Sequence, residues 1–562
     1  MPRKIGIGYQ NFEEIIRDQV FYVDKTSFIK EWWESKDRVT LITRPRRFGK
    51  TLTMSMVECF FSMTHKSCND LFENLLVYAD SSYRELQGTW PVIALSFANV
   101  KETNWDSCYQ SLYEIIVQLY NRFSYLLSSD RLLDNEKTEF QKIMDRTAGE
   151  VSLKSSIHNL SGYLCKHYNK KVIILLDEYD TPMQEAYVHG YWDRMVSFTR
   201  GLFNAVFKTN PYLERGLMTG ITRVSRESVF SDLNNLVAIT TTSTHYMDSF
   251  GFTDAEVLQA LDEYQLSDQK EMVRQWYDGF TFGTTPDIYN PWSVLNFLNS
   301  RRFSTYWANT SSNSLIGKLL QTASASIKTQ FEQLMKGIAI QAALDEQIVY
   351  DQLDQTEDAI WSLLLASGYL KVINHSLDLQ SGKEWYELSL TNQEVQFMFN
   401  GIIRSWFSGT DGKYNEFVQA LLKNDKKAMN VYMNKIALLS FSYFDTGKRP
   451  SAEAEPERFY HGIVLGLIVD LRDQYIITSN RESGLGRYDV ILEPRNIQRD
   501  AIILEFKVHD PSEEAALADT VTSALKQIDE KQYAADLEYR GIPADRIRKL
   551  GFAFEGKQVL IG

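Results

Sequence analysis

Short continuous apolar runs alternate with stretches of helical periodicity through the first 250 residues of the chain. Val39–Thr43, Val92–Phe97, Val172–Leu176 and Leu213–Thr219 have the length and apolar continuity of buried strands. Lys50–Ser62, Trp105–Leu127, Leu153–Tyr168 and Trp192–Phe207 read as the helices between them. Ahead of the first strand, short helices are expected over Phe12–Asp18 and Thr26–Ser35, with an extended segment at Phe21–Asp24. This alternation predicts an α/β fold, a parallel sheet with crossover helices on both faces.

From about Thr253 the pattern turns helical, over Asp254–Tyr264, Ser267–Tyr277 and Pro291–Asn299. Helices continue through Ser311–Asp445, interrupted by a hairpin around Tyr369–Ile373 and Trp385–Leu390. The stretch TGKRPSAEAEP, residues 446–456, collects small, charged and Pro residues and reads as a linker. Beyond it a helix (Glu457–Leu471), strands at Tyr475–Ser479, Arg487–Glu493 and Ala501–Lys507, a long helix (Glu513–Ala535) and two last strands predict a separate mixed α/β domain. The expected organisation is therefore an α/β domain at 1–250, a mainly helical middle region at 251–445 and a tail domain at 446–562.

At 562 residues the chain exceeds what one core can hold. Its 44% hydrophobic and 24% charged residues are the balance of a folded globular protein. No apolar run approaches the ~18–20 residues of a membrane span, and the start MPRKIGIGYQ lacks the apolar stretch of a signal peptide. Four cysteines without CxxC spacing argue against a zinc site, so a cytoplasmic protein with reduced thiols is expected. A net charge of −13 confines any nucleic-acid contact to a local patch.

The segment VTLITRPRRFGKTLTMSM places a strand, a loop and a helix around Gly49-Lys50-Thr51. A helix N-terminus offers free N–H groups and the positive end of its dipole to phosphate. Lys50 would reach the β- and γ-phosphates of ATP, and the Thr51 hydroxyl would join the Mg²⁺ shell. Arg44 stands where a phosphate loop usually has its first glycine. With Arg46 and Arg47 it is expected to add positive charge near the phosphates, with Phe48 and Gly49 completing the loop. The structural alternative is an ordinary GKT in a basic surface loop.

KVIILLDEYD weighs against that alternative. Its apolar strand ends in Asp177-Glu178, and carboxylates at the C-terminal end of such a strand emerge where open α/β sheets bind ligands. Asp177 would hold Mg²⁺ and Glu178 would orient or deprotonate the attacking water. The strand RGLMTGITRVS supplies Thr219 or Thr222 as a sensor of the γ-phosphate. Arg223 would reach a neighbouring subunit's nucleotide if the chain forms a homo-oligomer.

A second chemistry lies in RYDVILEPRNIQRDAIILEFKV. Side chains two apart on a strand share a face, so Glu505 and Lys507 point together, and Asp489 joins them if the two strands pair. Two carboxylates suit Mg²⁺ or Mn²⁺, and Lys507 would support the nucleophile or the developing oxyanion in phosphodiester cleavage. The alternative is an amphipathic strand with a cross-strand ion pair. The eight histidines form no metal-binding pattern, and Trp276–Phe280 reads as an aromatic helix end.

The segments YVDKTSFIK, LITRPRRFGKT, IILLDEYDTP, MTGITRVSRESVFSDLNNL, WYDGF, YNPWSV and YWANTSSN resemble the bacterial and archaeal AAA-ATPase-like family. Such proteins join an N-terminal ATPase to a C-terminal PD-(D/E)XK-type nuclease domain. The resemblance covers most of residues 5–310 and, more loosely, the tail. It makes Arg44 a family feature and implies that Asp24 and Lys25 lie near the nucleotide. It also implies an AAA-like P-loop domain and an α-β-β-β-α nuclease core, with Glu457 as the first acidic residue and Tyr488 and Gln527 as auxiliaries. His461, one turn after Glu457, would share its helix face.

The leading functional expectation is an ATPase that controls metal-dependent cleavage of DNA or RNA, with a defence setting by analogy. Its rival is a nucleotide-switched binding protein whose tail grips nucleic acid or a partner without cutting. A metabolic P-loop kinase accounts for neither the helical middle nor the tail.

Overall fold

The computed structural model describes residues 2–223, 230, 233–308, 316–317, 319–320, 323–344, 357–378, 383–408, 414–440, 464, 467–468, 471, 474–479, 482–483, 486–487, 489–496, 498–555 and 558–562. Contacts divide the chain into two units, one of residues 1–312 and 339–395, the other of 313–338 and 396–562. The helical middle region therefore contributes to both. The linker expected at 446–456 lies outside the described residues, as does most of the helix expected at 457–471.

The first unit is built on strands Val39–Thr43 (β1), Val92–Ser96 (β2), Val172–Asp177 (β3), Leu213–Gly220 (β4) and Leu236–Ile239 (β5). They form one sheet in the order β2-β3-β4-β1-β5, every neighbouring pair parallel. β1 and β3 are buried along their whole length, as their unbroken apolar runs require. Flanking helices include Lys50–Phe61, Trp105–Arg122 and Glu150–Tyr168. β5 was not legible in the sequence: LVAI is short, and only Ile239 is buried. The strand order has a functional consequence. β4 lies between β1 and β3, so its C-terminal end separates the loop after β1 from the carboxylates after β3.

Two small sheets complete this unit. Phe252–Thr253 (β6), Phe280–Phe282 (β7) and Thr285–Tyr289 (β8) form one, while Ile340–Ala343 (β9), Leu370–Leu377 (β10) and Glu384–Leu390 (β11) form the other. Helix starts follow capping rules. Thr253 and Glu256 make a reciprocal capping box, and Asn290 accepts from the N–H groups of Trp292 and Ser293 with Pro291 in the first turn.

Glu394 ties the unit together from inside. Its carboxylate accepts from Ser293 Oγ (2.8 Å), Tyr306 N (2.6 Å) and Ala308 N (3.2 Å) while only 1% exposed. Burial outweighs these bonds and pushes its pKa from 4.5 up to about 7. A carboxyl raised on folding contributes stability that is complete below its unfolded pKa and is lost as pH rises through its folded one. The thermal transition of this unit is thus expected to fall between pH 5 and 8, by an amount on the order of 3 kcal/mol. Glu394→Gln, which mimics the protonated acid, should flatten that slope in pH-dependent calorimetry.

The second unit centres on a mixed sheet of Tyr475–Ser479 (β12), Val490–Pro494 (β15), Ala501–Val508 (β16), Ile547–Glu555 (β17) and Gln558–Ile561 (β18). A short pair, Glu482–Ser483 (β13) and Gly486–Arg487 (β14), intervenes in the chain. β12, β15 and β16 pair antiparallel, β17 joins β16 in parallel, and β18 returns antiparallel on β17. Ile502, Leu504 and Phe506 pack on one face with helices Tyr414–Lys423 and Lys426–Ser440. Ala501 and Ile503 pack on the other with Ile528 of helix Leu517–Glu530.

Candidate functional site

β1 ends at Thr43, and the chain loops through residues 44–49 before entering the helix at Lys50. Two loop residues, Arg47 (φ 68°) and Gly49 (φ 85°), adopt left-handed backbone. At Gly49 the glycine supplies that conformation without steric cost. Lys50 is folded back into the loop. Its ammonium donates to the carbonyls of Arg44 and Pro45, each at 2.9 Å, and is 4% exposed. Burial lowers its pKa, while Glu178, Asp180 and Asp177 oppose that shift. The loop thus holds a desolvated cation at its centre.

The acidic side of the site is equally ordered. Asp177 accepts from Thr51 Oγ1 at 2.8 Å, from Thr219 Oγ1, and from Ser96 Oγ at 3.4 Å. Three strands and the start of a helix therefore converge on one carboxylate, whose pKa burial pushes up against those bonds. Glu178 follows in left-handed conformation (φ 50°), with Oε2 accepting from Thr181 Oγ1 at 3.1 Å. A non-glycine residue in that region carries strain on the order of 1–2 kcal/mol.

Asp180 was missed in the sequence. Its Oδ2 accepts from the main-chain N–H of Ile221 and Thr222 and from Thr222 Oγ1, while Oδ1 is buried without a hydrogen bond from the described residues. This clamps the turn after β4 against the end of β3. A Cβ on Gly220 would stand 2.8 Å from Asp180 Oδ1, so glycine is needed there for the carboxylate to enter. The signal was present in DEYD, whose third carboxylate, Asp180, follows the strand end by three residues.

Several residues expected at the phosphates have protein partners of their own. Arg44 is wholly buried and points away from the loop's interior. Its guanidinium donates to the carbonyls of Thr43 (2.9 Å), Thr240 (2.7 Å) and Tyr246 (3.3 Å) and lies 4.4 Å from the Phe282 ring centre. Burial lowers its pKa to about 9, so it remains a cation at neutral pH. It is a strut, and Arg44→Met should cost on the order of 3 kcal/mol by orphaning those carbonyls, read as a lowered Tm. Arg47 is exposed and stacks 4.3 Å over Trp292, and Phe48 packs edge-on against Phe280 and Phe282. Only Arg46, half-buried and hydrogen-bonded to Gln184 at 3.4 Å, adds its field to that of Lys50.

Of the two sensor candidates, Thr219 sits on Asp177 while Thr222 is held by Asp180. Arg223 is half-buried just beyond β4. Asp24 and Lys25 also have protein partners. Asp24 closes the turn at Thr26 and accepts from Leu76 N, and Lys25 pairs with Glu256 at 2.7 Å.

In the second unit, register pairs Val490 with Leu504, which sets Asp489 opposite Glu505 one step further along. Ile491, Ala501 and Ile503 share a face with Ile528 and Tyr533. Alternation along the strands therefore puts Asp489, Glu505 and Lys507 on that face too. Asp489 Oδ2 accepts from Phe506 N at 2.8 Å, locking the two strands together. Glu505, 2% exposed, accepts from Gln527 Nε2, which also donates to the Tyr533 hydroxyl at 3.3 Å. Burial raises the Tyr533 pKa, reinforced by Glu505 and Asp489. Tyr533 thus joins the group, a contact that required the fold, while Lys507 stands half-buried beside it. Glu457, His461 and Tyr488 lie outside the described residues.

Among the described residues no three His, Cys, Asp or Glu side chains converge as a complete metal shell. Each site offers two hard oxygen donors instead, Thr51 with Asp177 and Asp489 with Glu505. Both pairs fit a divalent ion that retains much of its water.

Residues 6–230 match the model of the AAA-ATPase-like family, described as a predicted AAA-ATPase. Residues 455–562 match that of the PD-(D/E)XK nuclease superfamily. The chain thus joins an AAA-ATPase-like domain to a PD-(D/E)XK nuclease superfamily domain, as its motifs implied. A protein of Azotobacter chroococcum mcd 1, described as "Uncharacterized protein in vnfD 5'region", is 25% identical over 571 residues, covering 98% of this chain and 96% of that one. Among the described residues no helix is long and apolar enough to cross a membrane.

Proposed function

We propose that this protein is an ATPase whose nucleotide state controls a metal-dependent nuclease acting on DNA or RNA. The observation that carries the ATPase half is the convergence of Lys50, Thr51, Asp177 and Thr219 at the ends of β1, β3 and β4. Main-chain N–H groups at the start of the Lys50–Phe61 helix would cradle the phosphates, and Lys50 would exchange its two carbonyl partners for phosphate oxygens. Thr51 and Asp177 would hold Mg²⁺, which supplies neutralisation of phosphate charge. Glu178 would position the attacking water, and Thr219 would register the γ-phosphate. In a homo-oligomer, Arg223 would be the group offered to a neighbouring nucleotide.

In the second unit, Asp489 and Glu505 would hold Mg²⁺ or Mn²⁺, and Glu457 is the first acidic residue that the family resemblance implies. The ion would supply an activated water and charge stabilisation at the phosphodiester. Lys507 would steady the developing oxyanion, and Gln527 would fix the Glu505 carboxylate. A cytoplasmic role against foreign nucleic acid follows by analogy from the domain pairing. The test is incubation of the purified chain with single- and double-stranded DNA and RNA in Mg²⁺ or Mn²⁺, with and without ATP. The expected result is cutting that EDTA stops. Binding without cutting on every substrate would favour a nucleotide-switched binding protein instead.

A further inference from the structure

The second unit contains a cavity of about 420 Å³ that neither proposed reaction uses. It opens at the N-terminal ends of β16 and β17, walled by Arg499, Arg546, Arg548, Asp500, Tyr475 and Gln474 among others. The strand ends bring together basic residues that lie far apart in sequence: Ala501 pairs with Ile547, so the residues flanking each become neighbours.

The wall is organised around one carboxylate. Asp500 Oδ1 accepts from Arg546 Nε at 3.3 Å and Oδ2 from Arg548 Nη2. Arg548 also donates to the Leu422 carbonyl at 2.8 Å, near the end of a helix whose dipole suits a cation. Arg499, exposed at the rim, donates to Gln474. Three guanidiniums thus meet one carboxylate among the described residues of the wall. Asp500 fixes the orientation of two of them without neutralising the set. The Tyr475 hydroxyl, whose pKa burial raises, adds a donor that stays protonated at neutral pH.

We propose that this cavity binds a phosphate monoester, carried either by a free nucleotide or by the 5′ end of a nucleic-acid strand. Planar guanidiniums held in a fixed array match the oxygens of phosphate, and a dianion would balance the excess charge. The cavity shares the Ile502 face of the sheet, whereas Glu505 and Lys507 share the Ile503 face. Asp500, at its centre, also lies toward the opposite end of β16, about 17 Å from Glu505 by strand rise. Those positions separate it from the phosphodiester being cut and make it a second anion site.

The test is fluorescence anisotropy on the full chain carrying Lys50→Ala, in EDTA, so that neither the phosphate loop nor cleavage contributes. The probes are a 3′-labelled ten-nucleotide single strand with a 5′-phosphate, the same strand with a 5′-hydroxyl, and fluorescent AMP. Arg499→Glu, at an exposed position, should weaken the 5′-phosphorylated strand or AMP by about tenfold or more. It should leave the 5′-hydroxyl strand unchanged, and Arg546→Gln should act in the same direction. Loss of the phosphorylated strand identifies an end-binding site, and loss of AMP alone identifies a nucleotide site. If neither affinity changes, or the 5′-hydroxyl strand responds equally, the proposal fails. A chain that binds phosphate here but never cuts would keep this inference and sink the nuclease reading.

Discussion

Glu505→Gln should lower metal-dependent cleavage by on the order of 10³-fold while leaving ATP hydrolysis intact. Glu505 is buried beside Asp489 on a face that includes Lys507, and its Oε1 is already oriented by Gln527. Replacing it with the amide removes one of two anionic ligands without opening a cavity in the sheet. Lys507→Ala should cause a comparable loss through a different route. The metal affinity would persist, but the charge beside the oxyanion would be gone. Titrating Mn²⁺ against cleavage rate separates the two. Glu505→Gln should shift the metal midpoint, whereas Lys507→Ala should lower the plateau. Full activity in both variants would remove this strand from the chemistry.

Lys50→Ala should reduce ATP turnover by on the order of 10²–10³-fold. The ammonium is desolvated inside the loop and surrounded by Glu178, Asp180 and Asp177, so the site has no other buried cation beside those carboxylates among the described residues. The substitution also leaves the carbonyls of Arg44 and Pro45 without their donor. A thermal melt must therefore accompany the rate, and Thr51→Ala provides a second variant that keeps the loop closed. Retained turnover in a folded Lys50→Ala protein would contradict the nucleotide site.

The central strands of both sheets were legible because each is a continuous apolar run that can only be buried. Val172–Asp177 and Ala501–Val508 are the clearest cases, and each carries its acidic residues at or near its C-terminal end. β5 and β6 are too short to stand out, and the sequence holds no cue to the β2-β3-β4-β1-β5 order that brings Thr219 onto Asp177. Arg44 shows the limit of reading charge by position. Its place in the loop suggested phosphate, but Phe282 and the Thr240 and Tyr246 carbonyls, some two hundred residues away, supply a buried site that draws the guanidinium inward. Tyr533 and Asp180 were hidden for a related reason: each acquires its role from a partner that only the fold supplies.

Coupling between the two reactions is the central claim. The direct measurement is the initial rate of nucleic-acid cleavage by wild type and by Glu178→Gln, with ATP, with a non-hydrolysable analogue and without nucleotide. A wild-type rate that changes about tenfold or more with ATP, and a Glu178→Gln rate that is fixed by bound ATP at the analogue's level, is the predicted result. Cleavage that proceeds at one rate under all three conditions in both proteins would contradict it.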